Sequence, residues 1–154
     1  MSRDELLGRV LVVLQFALIG AIAWQAAPAF ASGTAPLLSW LLLAAGVGLG
    51  SWALGVNKPG NFNVRPTPKA GAQLVLSGPY RWIRHPMYSA ILIAGQAGVT
   101  TAPNAGQSLL GLLWVAMLAV LLVKLLLEER HMLAQYPAYA AYKARTKRLL
   151  PGLY

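Results

Sequence analysis

Residues that could bind a charged, ring-bearing ligand are concentrated in two short stretches of this chain. The first, which we call the elbow, is Leu76–Tyr88 (LSGPYRWIRHPMY), where two arginines and a histidine accompany three aromatic residues. The second is the acidic pair Glu128-Glu129. A carboxylate can bind a ligand's ammonium group, arginine or histidine can bind a carboxylate, and aromatic side chains can cover a flat ring. Together the two stretches would suit a cofactor that carries an amino acid and a purine.

The backbone of the elbow is expected to be rigid. Ser77-Gly78-Pro79 predicts a turn, because glycine relaxes the backbone and proline fixes it. His85 precedes a proline, which biases it towards an extended conformation. Pro86 can then occupy the first turn of the following helix, where a missing N–H costs nothing. We therefore predict a polar bend at the entrance to an apolar helix.

Each of these features also has a simpler explanation. Arg81 and Arg84 could do no more than fix the orientation of a membrane helix, and the aromatic residues could form an interfacial belt. One histidine, His85, makes neither a metal site nor a catalytic pair. The acidic pair could be the solvated end of a long helix, and the basic run 143–148 could bind anionic lipid headgroups. Only the combination of these features indicates a ligand site.

The composition indicates an integral membrane protein. Of 154 residues, 57% are hydrophobic and 11% are charged, which is too apolar for an ordinary soluble protein. The net charge of +9 could suggest nucleic acid, but the basic residues cluster between apolar segments, as in membrane proteins. The chain has no cysteine, which excludes a disulfide, a thiolate metal site and a thiol nucleophile. We expect a single membrane domain, residues 1–154, and no nucleic-acid partner.

The apolar segments predict an all-α fold with about four transmembrane helices. The expected spans are Leu6–Ala27, Leu37–Val56, Met87–Thr101 and Ser108–Leu127. The first two make up an N-terminal pair, residues 1–56. The third is short for a full span and is expected to be tilted and partly buried by protein, or re-entrant. A turn at residues 103–106 would join it to the fourth in a helical hairpin.

Three short patterns bear on how these helices begin, end and pack. Pro28 and the cluster 32–34 predict a turn after the first helix. Ala29-Phe30-Ala31 resembles a signal cleavage site, but the long apolar run favours a retained helix. Gly46 and Gly50 are four residues apart, which predicts close contact between helices.

The distribution of basic residues predicts the topology. Lysine and arginine are missing between Leu11 and Asn57, and between Met87 and Val123. Both termini and the central loop are therefore expected on the cytoplasmic side, of a prokaryotic inner membrane. The hairpin would bring the start of the third helix and the end of the fourth to the same membrane face, and so His85 close to Glu128. A cytoplasmic helix, residues 137–146, is expected beyond the fourth span, with Tyr139 and Tyr142 on one side.

The order of the motifs resembles the superfamily of isoprenylcysteine carboxyl methyltransferases and phospholipid methyltransferases. These motifs are Gly78-Pro79-Tyr80, Arg84-His85-Pro86-x-Tyr88, the helical hairpin, Glu128-Glu129, and Tyr139-x-x-Tyr142-x-x-Arg145. The resemblance covers residues 73–151, which would form the cofactor-binding region. The first two helices match in hydropathy alone.

The resemblance implies an integral membrane methyltransferase that uses S-adenosylmethionine, without a metal. Its methyl acceptor would be an isoprenylcysteine-type carboxylate or a phospholipid amine. The implied cofactor-binding residues are Leu74, Val75, Tyr80, His85, Pro86, Tyr88, Glu128 and Glu129, with Glu128 at the cofactor's amino group. Arg84 and Arg145 match arginines that serve the reactive centre or the substrate's polar group, so the resemblance implies a catalytic role for both.

Two other functions remain open at this point. Membrane sterol reductases share a related C-terminal architecture but use NADPH, although this chain is much shorter. A non-catalytic membrane protein could instead bind lipid or a partner through its basic face. Binding of S-adenosylhomocysteine rather than NADPH, or of neither, distinguishes the three. The sequence leaves the acceptor and the oligomeric state open.

Overall fold

The computed structural model describes residues 3–57, 74–102, 104 and 108–153. Within these ranges the regular structure is helical. The helices are α1 Arg3–Ala31, α2 Leu37–Asn57, α3 Pro86–Val99, α4 Leu109–Gln135 and α5 Tyr139–Arg145, with a 3₁₀ turn at Gly78–Arg81. Helices α1, α2 and α4 are long and apolar enough to cross a membrane, whereas α3 has 14 residues. The predicted all-α membrane fold with a short third helix is confirmed.

The first helix ends later than the sequence predicted. We expected a turn to start at Pro28, but α1 continues through this proline to Ala31. A proline inside a helix removes one hydrogen bond, which a membrane helix tolerates when neighbouring groups satisfy the freed carbonyl. The turn begins instead at Ser32, whose hydroxyl donates to the Pro28 carbonyl at 2.7 Å. The prediction that Pro28 ends the helix was wrong.

The predicted contact of Gly46 with another helix is confirmed. A Cβ atom at Gly46 would lie 2.8 Å from the backbone nitrogen of Ala94, so α2 and α3 touch through their backbones here. At Gly50 a Cβ atom would lie 3.5 Å from the Cβ of Ala90, which is ordinary contact. The glycines of α2 and the alanines of α3 therefore allow the two helices to pack in direct contact.

Helix α3 also makes polar contacts with its neighbours. Ser39 of α2 is fully buried, and its hydroxyl lies 2.8 Å from that of Thr100, the residue that caps α3. The indole Nε1 of Trp114 in α4 donates to the carbonyl of Leu92 at 2.9 Å. Because α3 is enclosed by α1, α2 and α4, most of its surface is covered by protein rather than exposed to lipid. This agrees with the expectation that a short third helix is partly buried by protein.

The segments that carry the candidate site lie at one end of the helical bundle. The guanidinium of Arg130, near the end of α4, lies 3.1 Å from the carboxylate of Asp4 at the start of α1. The end of α2 contacts the elbow, because Gly78 packs against Val56. The start of α1, the end of α2, the start of α3 and the end of α4 therefore share one face. The central loop, up to residue 73, and the predicted turn 103–106 apart from Asn104, lie outside the described residues.

Candidate functional site

The elbow adopts the bend predicted from its glycine and prolines. Gly78 has a φ of +57°, which favours glycine, and a Cβ atom there would lie 2.6 Å from a methyl group of Val56. Pro86 is the first residue of α3, and His85 precedes it with φ −123° and ψ 58°, outside the helical region. The elbow is therefore fixed at both of its ends, and it presents His85 at the entrance to α3.

His85, Tyr88 and Glu128 meet, as the predicted hairpin requires. The Tyr88 hydroxyl donates to Oε2 of Glu128 at 2.8 Å, and Nδ1 of His85 lies 3.7 Å from the same oxygen. The rings of His85 and Tyr88 are stacked, with centroids 5.4 Å apart and planes within 3°. The predicted proximity of His85 and Glu128 is confirmed.

The two acidic residues lie in different environments. The side chain of Glu128 is 32% exposed, whereas that of Glu129 is 3% exposed. Glu129 is surrounded by cations: its carboxylate lies 2.7 Å from Nε of Arg84, 3.3 Å from Nε of Arg148 and 3.5 Å from Nζ of Lys143. A buried carboxylate requires such partners. Glu128 thus faces the accessible side of the site, and Glu129 is the centre of a buried ion cluster.

His85 lies between the two carboxylates. Its Nε2 atom is 3.5 Å from Oε1 of Glu129 and is buried without a hydrogen bond to any described residue. Buried polar atoms are normally satisfied by protein, water or ligand. An imidazole in this position can bind a polar ligand atom.

The structure places the two predicted catalytic arginines differently. Arg84 is buried, and besides Glu129 its guanidinium donates to the carbonyl and the hydroxyl of Thr146 and to the carbonyl of Lys143 at 3.2 Å. Arg145 is exposed at the end of α5. The fold therefore brings Arg84 to the acidic pair through the protein interior and leaves Arg145 accessible to solvent or lipid headgroups.

Tyr80 of the elbow lies close to two tyrosines of α5, Tyr139 and Tyr142. Tyr139 and Tyr142, which the sequence predicted on one side of the helix, are both buried, and the Tyr142 hydroxyl donates to the carbonyl of Tyr80 at 2.8 Å. Burial, and then the charge of Glu128, raises the pKa of Tyr80 to about 12. Burial also raises the pKa of Tyr139 and Tyr142. All three hydroxyls therefore stay protonated at neutral pH and can donate hydrogen bonds.

The remaining predicted cofactor-binding residues are Pro86, Leu74 and Val75. Pro86 is buried at the start of α3. Leu74 and Val75 form an irregular, half-buried segment that leads into the elbow. A backbone outside regular structure has N–H and C=O groups available to a ligand.

Sequence reasoning missed a polar contact inside the membrane region. Lys124 is fully buried in α4, and its ammonium donates to Oε1 of Gln15 in α1. Lys124 precedes Glu128 by one turn of α4. Its ammonium also lies 5.3 Å from the centroid of the Tyr88 ring. The sequence did contain a signal for this contact, namely a lysine within an apolar helix, because an ionisable residue in such a helix usually has a function.

Sequence reasoning also missed a short extended segment, residues 146–149, which we call the strap. It pairs in parallel with the elbow through a bridge between Ile83 and Lys147. The amide of Arg84 donates to the carbonyl of Lys147 at 2.8 Å, and that of His85 donates to the carbonyl of Arg148 at 3.1 Å. So short a pairing between distant segments leaves no recognisable pattern in the sequence.

The fold is that of an integral membrane protein with a cluster of polar, partly buried side chains at one end of its helical bundle. Residues 34–139 match the sequence profile of a family described as phospholipid methyltransferase, and the chain belongs to that family. The resemblance inferred from its motifs is thereby confirmed, and the chain is a membrane methyltransferase of a lipid-modifying family. Neither the curated proteins nor the solved structures contain a significant match to this chain.

Proposed function

We propose that this protein transfers a methyl group from S-adenosylmethionine to a lipophilic acceptor in the membrane. Membership of the phospholipid methyltransferase family supports the reaction class. The observation that supports the cofactor and its site is the convergence of Tyr88 and His85 on one oxygen of Glu128, at 2.8 Å and 3.7 Å. This convergence offers a carboxylate, an imidazole and a stacked ring within the reach of one ligand.

The residues present fit such a cofactor. Glu128 is a partly exposed carboxylate held by Tyr88, and it suits the ammonium of the cofactor's amino-acid group. The buried Nε2 of His85 suits a polar ligand atom. Tyr80, Pro86 and the backbone of residues 74–75 would contact the remainder of the cofactor. When bound, S-adenosylmethionine supplies an electrophilic methyl group on its sulfonium.

Glu129 would act by positioning rather than by contact. Its carboxylate pairs with buried Arg84 and with the more exposed Arg148 and Lys143. These contacts would hold Arg84 and the adjacent His85 in place, so a ligand would meet an elbow that is already ordered. Preorganisation of this kind reduces the entropic cost of binding.

The acceptor would approach from the bilayer. Methyl transfer requires the accepting atom to lie behind the methyl carbon at close range, with water excluded. The exposed guanidinium of Arg145 would orient the acceptor's carboxylate or phosphate, since arginine can bind either group in a bidentate manner. An isoprenylcysteine-type carboxylate and a phospholipid amine both remain candidate acceptors.

The site would face the cytoplasm. The described ends of the helices that carry it share one face with Asp4 and Arg130, and the described basic residues Arg84, Lys143 and Arg148 lie at the same end of the bundle, around Glu129. The positive-inside rule assigns that side to the cytoplasm, where S-adenosylmethionine is made. We place the protein in a prokaryotic inner membrane.

Methyl transfer from labelled S-adenosylmethionine tests the proposal directly. Purified protein would be incubated with the labelled donor and a membrane lipid extract, and the labelled product identified by mass spectrometry. We expect a single class of labelled lipid with the intact chain and none with Glu128→Gln. Labelling with the variant at the intact chain's rate, or no labelling with either, would contradict the proposed function.

A further inference from the structure

The strap is joined to the elbow by backbone hydrogen bonds. The proposed role of the cofactor-binding side chains does not include these bonds. Besides the two bonds donated by the amides of Arg84 and His85, the amide of Lys147 donates to the carbonyl of Trp82 at 3.0 Å. These three bonds hold residues 82–85 against residues 147–148. His85 is therefore the last elbow residue that the strap fixes before α3 begins.

Side chains reinforce the strap from both sides. The Ser89 hydroxyl in α3 donates to the carbonyl of Leu149 at 2.6 Å. The guanidinium of Arg148 donates to Glu129 at 3.3 Å, and that of Arg84 donates to the carbonyl and hydroxyl of Thr146. The strap thus connects to α3, to α4 and to the elbow.

One residue anchors the strap in the hydrophobic core. Leu149 is 6% exposed and packs in the core cluster with residues of α3 and α4, whereas the next residue, Leu150, is 50% exposed. Burying one leucine side chain stabilises a fold by roughly 1.5–3 kcal/mol. The anchor is therefore strong enough to decide whether the short pairing with the elbow persists.

We propose that the strap is a positioning element for the site: by anchoring Leu149 in the core it sets the backbone of Arg84 and His85, and thereby the affinity for the cofactor. The family profile ends at residue 139, so the strap lies beyond the part of the chain that the family match covers. Leu149 and Ser89 are positioning residues in this account, since they act through His85. The link to cofactor affinity rests on the proposed function.

Leu149→Ala and Leu150→Ala form a matched pair for the test. Hydrogen–deuterium exchange would be followed at the amides of Arg84 and His85, which bond to the strap. Affinity for S-adenosylhomocysteine would be measured by titration, well below the melting temperature of each variant. We expect Leu149→Ala to speed exchange at both amides and to weaken binding by about tenfold, or roughly 1.4 kcal/mol, while Leu150→Ala changes neither.

A merely structural role for Leu149 would lower the melting temperature and leave the affinity of the folded protein unchanged, and that result would overturn the proposal. Unchanged exchange at Arg84 and His85 would overturn it equally. If Leu149→Ala does not fold, Ser89→Ala removes the 2.6 Å bond to the Leu149 carbonyl, together with a longer 3.3 Å contact to the His85 carbonyl, without opening the core. Exchange at the amide of Arg84, which Ser89 does not contact, and the affinity then decide. If the intact chain binds no S-adenosylhomocysteine, the proposed function fails, and exchange still decides whether the strap holds the elbow.

Discussion

The hydroxyl of Tyr88 donates a 2.8 Å hydrogen bond to Glu128, and this bond joins the first turn of α3 to α4 at the rim of the site. The neighbouring Glu129 instead accepts hydrogen bonds from Arg84 and Arg148 and lies buried among cations. The two carboxylates are adjacent in sequence, yet one faces the site and the other faces the interior.

Substituting each acidic residue by glutamine should separate binding from stability. Glu128→Gln should retain the fold and lose most affinity for S-adenosylhomocysteine, because a neutral amide cannot balance the ligand's ammonium. Glu129→Gln should cost about 3–5 kcal/mol of stability, because it leaves buried Arg84 without its carboxylate. Melting curves in detergent and ligand titration measure the two effects. Equal stability losses from the two variants would contradict the asymmetry.

Removing the Tyr88 hydroxyl should weaken cofactor binding without unfolding the protein. Tyr88→Phe keeps the ring stacked on His85 and deletes the bond to Glu128. A hydrogen bond to a charged group contributes roughly 1.5–3 kcal/mol, so the dissociation constant for S-adenosylhomocysteine should rise by at least about tenfold. In a protein that already carries Glu128→Gln, Tyr88→Phe should raise this dissociation constant little further. Full additivity of the two changes would mean that Tyr88 does not act through Glu128.

Lys124 and Gln15 should depend on each other. Lys124→Met leaves the buried Gln15 amide without the ammonium, and Gln15→Leu removes one of the groups that bind this ammonium. Each change should cost about 1–3 kcal/mol of stability. The double variant removes both polar groups and should recover part of that loss. Melting temperatures of the three variants test this coupling, and a double variant less stable than the sum of the single changes would argue against it.

Gly46 and Gly48 offer a test of helix packing in α2. Gly46→Ala places a methyl group 2.8 Å from the backbone of Ala94 and should destabilise the protein by about 1–3 kcal/mol through overpacking. Among the described residues outside the helix's own backbone, none lies within 4 Å of a Cβ atom at Gly48, so Gly48→Ala serves as the control. Comparable melting temperatures for the two variants would show that α2 does not pack on α3 as described.

Arg145→Ala should abolish methyl transfer while binding of S-adenosylhomocysteine stays intact, because Arg145 is proposed to orient the acceptor. Arg130→Ala is a suitable control, since that side chain is 72% exposed and pairs with Asp4 away from the acidic pair. Turnover measured with a membrane lipid extract distinguishes the variants. Full activity of Arg145→Ala would refute the role.

Much of the fold and the core of the site could be predicted from local patterns. Hydropathy located the spans, Pro86 located the start of α3, and the short hairpin placed His85 beside Glu128. These three predictions succeed because the length of an apolar segment, the geometry of proline and the connectivity of the helices each restrict the backbone strongly.

The features that could not be predicted depend on contacts between distant segments. Lys124 pairs with Gln15, and the strap pairs with the elbow. Both contacts depend on how the helices rotate and pack, which cannot be read from a local sequence pattern. The different burial of Glu128 and Glu129 follows from the same helix rotation. At Pro28 a local rule failed, since a membrane helix can absorb a proline near its end.

Equilibrium titration with S-adenosylhomocysteine and with NADPH tests the central claim most directly. The account predicts that the intact chain binds S-adenosylhomocysteine and not NADPH, and that Glu128→Gln loses this binding while it melts at nearly the same temperature. Binding of NADPH instead, binding of neither ligand, or unchanged affinity in Glu128→Gln would contradict the account.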